Sequence, residues 1–347
     1  MSIRVMVAGL GNMGMSHALA YQANPDFEVV GLVNRSRPAL PEPLDGIPFD
    51  TDFAASLARL APDLVSIATY TDSHADLAIT AMEAGAHVFV EKPLAANISD
   101  ARRVVDTARA TGRKLVVGYI LRVHPSWQRF IDEARDLGGP YVFRLNLNQQ
   151  SHGPAWEVHK ALMRSTSPIV DCGVHYVDVM CQITDAQPRE VRGMGLRLTD
   201  EIAPDMYNYG HFQVLFDDGS VGWYEAGWGP MISETAYFVK DVIAPAGAVS
   251  IVAAEQGGSS EIDSHTRVGT LRVHREAGDR LIDLPDEPGH QGLCDAEAAL
   301  VADAILNDRD LTRHNRDALA SLAICLGADE SVRTGRPVNL QEATWEA

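Results

Sequence analysis

The segment PIVDCGVHYVDVMCQIT, residues 168–184, places a carboxylate, an imidazole and a second carboxylate at i, i+4 and i+7. At about 3.6 residues per turn these positions, Asp171, His175 and Asp178, share one face of a helix. Pro168 suits the first helical turn, and Val174, Val177 and Cys181 fall on other, more apolar sectors. An imidazole exchanges a proton near neutral pH, so it can take the hydroxyl proton of a carbinol or return one to a carbonyl. A carboxylate one turn away orients the ring or shares a substrate hydroxyl. A cation completes the set: Lys92, in VFVEKP, adds positive charge where an alkoxide develops. These residue types assign His175 as acid/base, Lys92 as electrostatic stabiliser or proton relay, and Asp171 as substrate orienter. The roles of Lys92 and His175 are exchangeable. Read alone, a mid-helix histidine flanked by acids is also a hydrogen-bonded structural group, and Asp171, His175 and Asp178 are also a candidate metal set. No further His/Cys/Glu cluster with ligand spacing completes that set, so no metal is expected.

These side chains need elements to position them. IRVMVAG is a short apolar run ended by Gly9, as a buried strand would be. It leads into GLGNMG, where Gly9, Gly11 and Gly14 have G-x-G-x-x-G spacing with Asn12 and Met13 between them, and a helix is expected from Asn12 to about Ala23. A strand before the glycines and a helix after them is the context that a phosphate-binding turn requires. Gly9 allows the tight turn, Gly11 lets a pyrophosphate approach the backbone, and Gly14 lets helix and strand pack closely. The free N–H groups of the helix start bind the phosphates. Strands are also expected over residues 27–34, 63–69, 86–92 and 114–119. Helices are expected from about 72 to 84 and over SDARRVVDTARATG, with Ser99 as N-cap and Gly112 at the end. Short apolar strands alternating with helices imply a parallel sheet covered on both faces.

About 20 residues after such a glycine loop, an acid ordinarily bonds the ribose 2′-OH. Here that position is Asn34, followed by Arg35 and Ser36. A guanidinium and a hydroxyl would bond a 2′-phosphate that a carboxylate would repel. NADP is therefore favoured, with NAD the alternative if Arg35 stacks on the adenine or points to solvent. Ligands of open α/β sheets lie beyond the carboxyl ends of the strands. Those ends add Thr69, Tyr70, His74, Glu91 and Lys92 to the cofactor contacts expected at Gly9, Gly11, Asn12, Met13, Gly14, Asn34, Arg35 and Ser36.

With 347 residues, the chain is long enough for about two domains. Hydrophobic residues make up 46% and charged residues 22%, so a sizeable core can form. A formal charge of −18 argues against non-specific binding to nucleic acid or to an anionic membrane. The four cysteines are scattered and form no C-x-x-C pair, as in a reducing compartment. No window approaches a membrane span and the N-terminus lacks a secretory pattern, so a cytoplasmic location is expected.

GLGNMG, EKP at residues 91–93, GYILRVHP at 118–125 and DCGVHYVD at 171–178 together resemble the glucose–fructose oxidoreductase/inositol dehydrogenase/MocA (Gfo/Idh/MocA) family. The last of these matches its D-x-G-x-H-x-x-D signature, and the resemblance runs the length of the chain in the expected order. It implies a two-domain oxidoreductase, usually oligomeric, that acts on sugars, cyclitols or related polyols with a nicotinamide cofactor. The family's lysine falls on Lys92, its aspartate on Asp171 and its histidine on His175, and the Lys92–Pro93 bond is often cis in such proteins. Two departures are visible. RSTSP precedes the signature in place of a glycine-rich run, and Asn34 replaces the acid of many NAD-using members.

From about residue 140 the strands lengthen and alternate: 141–150, 190–198 and 207–216, then a DDGS turn into VGWYEAGWG, then AYFVKDVIAPAGAVSIV, TRVGTLRVHR and DRLIDLP. Successive strands without long helices between them imply a largely antiparallel sheet. The expected fold is therefore α/β, with a Rossmann doubly wound parallel sheet over residues 1–122. An α+β domain with a large, mostly antiparallel sheet follows over 123–347. One face of that sheet is expected to pair with a second subunit, giving a homodimer or homotetramer. Two helices are expected between about Gly292 and Arg333. Substrate contacts are assigned to Lys92, Arg122, Trp156, Lys160, Asp171 and His175, since aromatics and forked donors suit polyhydroxylated rings. The favoured function is an NAD(P)-dependent dehydrogenase or reductase of a sugar-like polyol. The alternatives are a nicotinamide-binding regulator or sensor without turnover, and a redox-assisted glycoside-cleaving enzyme with tightly held NAD.

Overall fold

The structure, a computed structural model, describes residues 2–233, 239–252, 259 and 262–341. The chain divides into two compact units: residues 1–123 with 288–319, and residues 124–287 with 320–347.

The first unit alternates strand and helix: β1 (Ile3–Ala8), α1 (Asn12–Ala23), β2 (Phe27–Val33), β3 (Phe49–Asp50), α2 (Phe53–Leu60), β4 (Leu64–Ile67), α3 (His74–Glu83), β5 (His87–Glu91), α4 (Ile98–Thr111) and β6 (Leu115–Gly118). The strands form one parallel sheet in the order β3-β2-β1-β4-β5-β6. Val5, Val7, Leu32, Leu64, Ile67, Val90 and Leu115 are buried, as expected of strands covered on both faces. The chain order reverses between β1 and β4, so the crevice for a ligand opens at their carboxyl ends. The short pair β3 and α2 was not foreseen, because β3 is two residues long and lies in a proline-rich loop. Helix α4 is capped by Asn97, whose side chain accepts from the Asp100 N–H at 2.9 Å, and not by Ser99 as the sequence predicted. The helix begins one residue before Ser99, so the asparagine holds the cap position.

In the second unit the order is α5 (Pro125–Leu137), β7 (Val142–Gln150), α6 (Gly153–Leu162), α7 (Pro168–Ile183), β8 (Pro188–Leu196), β9 (Tyr209–Phe216), β10 (Val221–Gly229), β11 (Lys240–Ala244), β12 (Gly247–Val252), α8 (Ile262–Thr266), β13 (Thr270–Arg275) and β14 (Gly278–Asp283). Residues 236–238 of the run AYFVKDVIAPAGAVSIV lie outside the described residues. The sheet runs β14-β13-β12-β11-β7-β10-β9-β8-β15, where β15 is Val338–Asn339. Only the pair β7 and β10 among these neighbours is parallel, so the sheet is mostly antiparallel. Helix α7 packs on β7, β9 and β10, and α5 packs on β11 and β12. Strand alternation sends Phe212, Val214 and Phe216 into that covered side. On the other face Leu215, Val221, Val142 and Ile243 stand in register across four strands and are 45%, 37%, 38% and 39% exposed.

Two helices complete the chain, α9 (His290–Leu306) and α10 (Thr312–Thr334). Cys294, Ala298, Val301, Ala302 and Ala304 of α9 bury in the same core as Ala18 and Tyr21 of α1 and Ile3, Val5 and Val7 of β1. Residues 288–319 thus belong to the first unit, whereas the sequence-derived boundary placed everything after residue 122 in the second. The small-residue stripe of α9 covers α1, a pairing that local periodicity does not reveal. No helix among the described residues is long and apolar enough to cross a membrane.

The turn from β1 to α1 rests on glycines. Gly9 has φ +89°, and a Cβ there would lie 2.4 Å from the Ala68 carbonyl oxygen. At Gly14 a Cβ would lie 1.9 Å from the Gly9 carbonyl oxygen. At Gly11 it would meet nothing within 4 Å. Gly14→Ala is accordingly expected to destabilise the protein by ~1–3 kcal/mol through forced backbone separation. Gly11→Ala should stay within about 0.5 kcal/mol of the parent. Urea unfolding of both variants checks this, and equal stabilities would contradict the packing role of Gly14.

Candidate active site

At the carboxyl end of β1, Gly11 is the N-cap of α1 with no side chain bonded over the first turn. The N–H groups at that end are therefore available to an anion. The open space above Gly11 is where a pyrophosphate would approach the backbone, and a Cβ would intrude into it. The loop thus fits a dinucleotide. Asn12 and Met13 form the first residues of the helix. Asn34, just past β2, is bonded back to the loop: its Oδ1 accepts from the Leu10 N–H at 3.2 Å, and its Nδ2 donates to the Ser36 carbonyl at 2.8 Å. The Arg35 guanidinium lies 5.3 Å from the centre of the Tyr70 ring, and Tyr70 is 68% exposed. Arg35 and Tyr70 form a stacked, solvent-facing pair from the ends of β2 and β4.

The ends of β4 and β5 are joined by His74. Its ring is buried, with Nδ1 2.9 Å from the Pro93 carbonyl and Nε2 3.0 Å from the Thr69 carbonyl. Burial pushes its pKa below the usual histidine range. The side chain ties the Thr69 loop to the Lys92-Pro93 loop. The Thr69 hydroxyl is 2.7 Å from that of Ser73. The Lys92–Pro93 peptide is cis. Glu91, at the last position of β5, points inward: Oε1 accepts from His17 Nε2 at 2.7 Å, and Oε2 accepts from the Lys92 backbone N–H at 3.1 Å. Lys92 is the first residue past the strand. Further along, the Arg122 guanidinium pairs with Asp317 at 3.3 Å. Arg313 and Arg316 share the same buried carboxylate.

In the second unit, α7 begins at a Ser167 cap that accepts from the Val170 N–H at 3.1 Å, and Pro168 follows it. The Ser167 hydroxyl donates to Asp329 at 2.7 Å, which fixes the helix start. Gly173 presses α7 onto β10, since a Cβ there would lie 3.0 Å from the Tyr224 ring. Asp171 and His175 stand two residues before and two after Gly173, about 200° round the helix, so they leave the face held against the sheet. Both are half-buried. Asp178 shares their helical stripe but is fully buried and accepts from Gln182 Nε2 at 3.0 Å. Asp171 lies in the first turn of α7, where the helix dipole favours a negative charge.

Several polar groups around α7 were not signalled by the sequence. The His159 ring stacks on Trp228, with centroids 4.4 Å apart and planes 8° from parallel. Burial pushes His159 down to about 4, against the opposing pull of the Asp171 charge. Gln149 Oε1 accepts from Trp228 Nε1 at 2.6 Å and lies 3.5 Å from the Cys172 thiol. Lys240 is buried, with its Nζ 4.5 Å from the centre of the Tyr176 ring and bonded to the Asn146 carbonyl. Burial lowers its pKa well below the usual lysine range. A lysine opening a β-strand gives no hint that its amine will be buried. His159 could have been noticed as one turn beyond Trp156 in AWEVHK. Trp156 and Lys160 meet at Glu201, with Trp156 Nε1 3.3 Å and Lys160 Nζ 2.7 Å from its Oε2, beside a pocket of ≈ 270 Å³. Lys160 also pairs with Glu157 at 2.9 Å, and these two carboxylates raise its pKa.

Residues 3–119 match the model of an oxidoreductase family with an NAD-binding Rossmann fold, and residues 129–234 match the GFO/IDH/MocA C-terminal domain. The chain is 28% identical to the scyllo-inositol 2-dehydrogenase (NAD(+)) of Bacillus subtilis over 288 residues, covering 80% of this chain and 78% of that protein. It is 31% identical to the UDP-N-acetylglucosamine 3-dehydrogenase of Acidithiobacillus ferrooxidans over 195 residues, a little over half of each chain at 56% and 58%. A solved structure of a protein of that name from the same organism covers 96% of this chain and 98% of its own, with a TM-score of 0.77 and 21% identity. An oxidoreductase from Agrobacterium radiobacter in complex with NAD+, L-tartaric acid and magnesium covers 99% and 100%, with a TM-score of 0.79 at 17% identity. The last two likenesses are of fold. With both of its parts matched in order, the chain belongs to the Gfo/Idh/MocA family of oxidoreductases.

Proposed function

We propose that the protein is an NAD(P)-dependent dehydrogenase or reductase of a sugar, a cyclitol or a related polyol. The observation that carries this reading is the glycine loop, whose uncapped helix start and open face at Gly11 suit a dinucleotide. Relatives named as dehydrogenases of an inositol and of a nucleotide-linked sugar support the substrate class. A bound nicotinamide supplies the two-electron exchange with the carbinol carbon. His175 takes the hydroxyl proton during oxidation and returns it during reduction. Lys92 stabilises the oxygen as it gains negative charge, and Asp171 holds a neighbouring hydroxyl. Glu91 and His74 fix the loop from which Lys92 projects. Arg122, Trp156 and Lys160 are the further substrate contacts of this reading, although each is engaged with a carboxylate in the structure.

For the cofactor we propose NADP in preference to NAD, on the absence of a carboxylate at Asn34 and the presence of Arg35 and Ser36 beside it. Release of Arg35 from Tyr70 would present its guanidinium to a 2′-phosphate. The protein assembles as a homodimer or homotetramer through the outer face of its larger sheet. The exposed row Leu215, Val221, Val142 and Ile243 is an apolar strip that water disfavours. A reducing, cytoplasmic location suits Cys172, Cys181, Cys294 and Cys325, among which no disulfide is formed.

A panel of aldoses, ketoses and inositols, assayed with NADH/NAD and NADPH/NADP, identifies the substrate. Lys92→Ala and His175→Ala are each expected to lower kcat by ~10²–10⁴-fold, with the cofactor Kd, read by nicotinamide fluorescence, little changed. Unaltered turnover in both removes these roles. Arg35→Ala should reduce kcat/KM with the 2′-phosphorylated cofactor roughly tenfold and leave that with NAD unchanged; the reverse pattern assigns the protein to NAD. Val221→Asp, measured by light scattering after size exclusion, should release monomers, and an assembly mass equal to the parent's would place the interface elsewhere.

A further inference from the structure

Beneath the glycine loop the first unit buries four groups that could bind protons or metals: His17 of α1, Glu91 of β5, and Cys294 and Glu297 of α9. His17 is 1%, Glu91 6% and Glu297 2% exposed. The His17 nitrogen, the Cys294 sulfur and a Glu297 oxygen all lie within 4.8 Å of one another. The Phe89 ring sits 4.6 Å from that of His17, centre to centre, and closes the cluster on one side. The hydrogen bonds are lopsided. Glu91 accepts on both oxygens, from the His17 ring and from the Lys92 backbone. Among the described residues, Oε2 of Glu297 has no hydrogen-bond partner.

His17 lies 2.7 Å from Glu91 and has a Glu297 oxygen within 4.8 Å of a ring nitrogen, and two buried carboxylates set about one imidazole cannot both ionise cheaply. The negative charge belongs where N–H donors meet it, which is Glu91, because a carboxylate has acceptors only. The proton belongs on the oxygen without donors. We propose that Glu297 holds a proton in the native state while Glu91, on the other contact of the His17 ring, stays ionised, and that Glu91 thereby acts as the positioning residue for Lys92. The second half of this proposal rests on the reading of Lys92 given above. Burial, followed by the Glu91 charge, raises the Glu297 pKa well above the usual carboxylate range. The other titratable groups facing Glu297 are His17 and Tyr21 from α1 and Cys294 from its own helix. Burial keeps the Tyr21 hydroxyl and the Cys294 thiol protonated. If Glu297 ionised, repulsion would loosen Glu91 from His17 and from the Lys92 N–H.

The native state holds the Glu297 proton that the unfolded chain releases above about pH 4.3. Native stability therefore falls as pH rises from there towards the raised native pKa. Glu297→Gln keeps the shape of the neutral acid and removes its titration. It should melt at a higher temperature than the parent at pH 8, with a flatter dependence of Tm on pH between 5 and 9. The infrared band of a protonated carboxylic acid, present in the parent at neutral pH, should lose intensity in the variant. At pH 7 its kcat and KM should match the parent's, whereas Glu91→Gln should lose kcat by on the order of tenfold or more with its cofactor Kd unchanged. A Glu297→Gln variant that melts lower than the parent at pH 8, or whose acid band is as strong as the parent's, overturns the proton on Glu297. One equivalent of zinc in the purified parent, lost in Glu297→Gln, overturns it too and makes the cluster a metal site. The melting and infrared readouts need no substrate, so they decide the protonation of Glu297 even if no polyol is turned over. A Glu91→Gln variant with parental kcat overturns the positioning role alone.

Discussion

The approach of Gly14 to the Gly9 carbonyl is the contact on which the first unit depends. No side chain fits between them, so α1 can start only a few ångströms from the end of β1. That start leaves a row of backbone N–H groups facing the crevice. It also sets the height of the rest of α1 over the sheet. One turn further on, His17 reaches over Phe89 and meets Glu91 at the end of β5. Glu91 in turn holds the backbone of Lys92. A steric property of two glycines thus reaches, through one histidine and one carboxylate, the lysine proposed to act on the substrate oxygen.

Three buried acids among the described residues have partners that compensate their charge. Glu91 has two N–H donors, Asp317 has three guanidiniums, and Asp178 has the Gln182 amide. Burial also moves pKa values towards the neutral form: it lowers those of His159 and Lys240 and raises that of Glu297. Asp171 and His175 differ from all of these in being half-buried on a helix whose opposite face is locked by Gly173 against Tyr224. A rigid back and a partly accessible front suit the substrate-facing roles proposed for these two residues.

Much of the fold was legible because it is written in local pattern. The alternation of apolar runs and helices gave the parallel sheet, and the longer alternating runs gave the mostly antiparallel one. The glycine spacing placed the β1–α1 turn, and 3.6-residue periodicity put Asp171 and His175 on a common stripe. The departures have physical reasons. Asn97 displaced Ser99 as a cap because the helix starts one residue earlier. Strand β3 is too short to carry a period. Asp178 has the same helical phase as His175 but is buried, because burial depends on what covers a turn of helix and not on its phase alone.

The sequence by itself determined the kinds of element, the glycine turn between β1 and α1 and the helical face that carries the imidazole, since turn chemistry and side-chain period act over a few residues. Only the tertiary structure decided that α9 returns to cover α1, that Glu297 meets His17, and that Lys240 and His159 lie buried beside α7. Those pairings join segments far apart in the chain. They are chosen by which apolar surfaces exclude water together, and polar groups caught between those surfaces must find a partner or a proton.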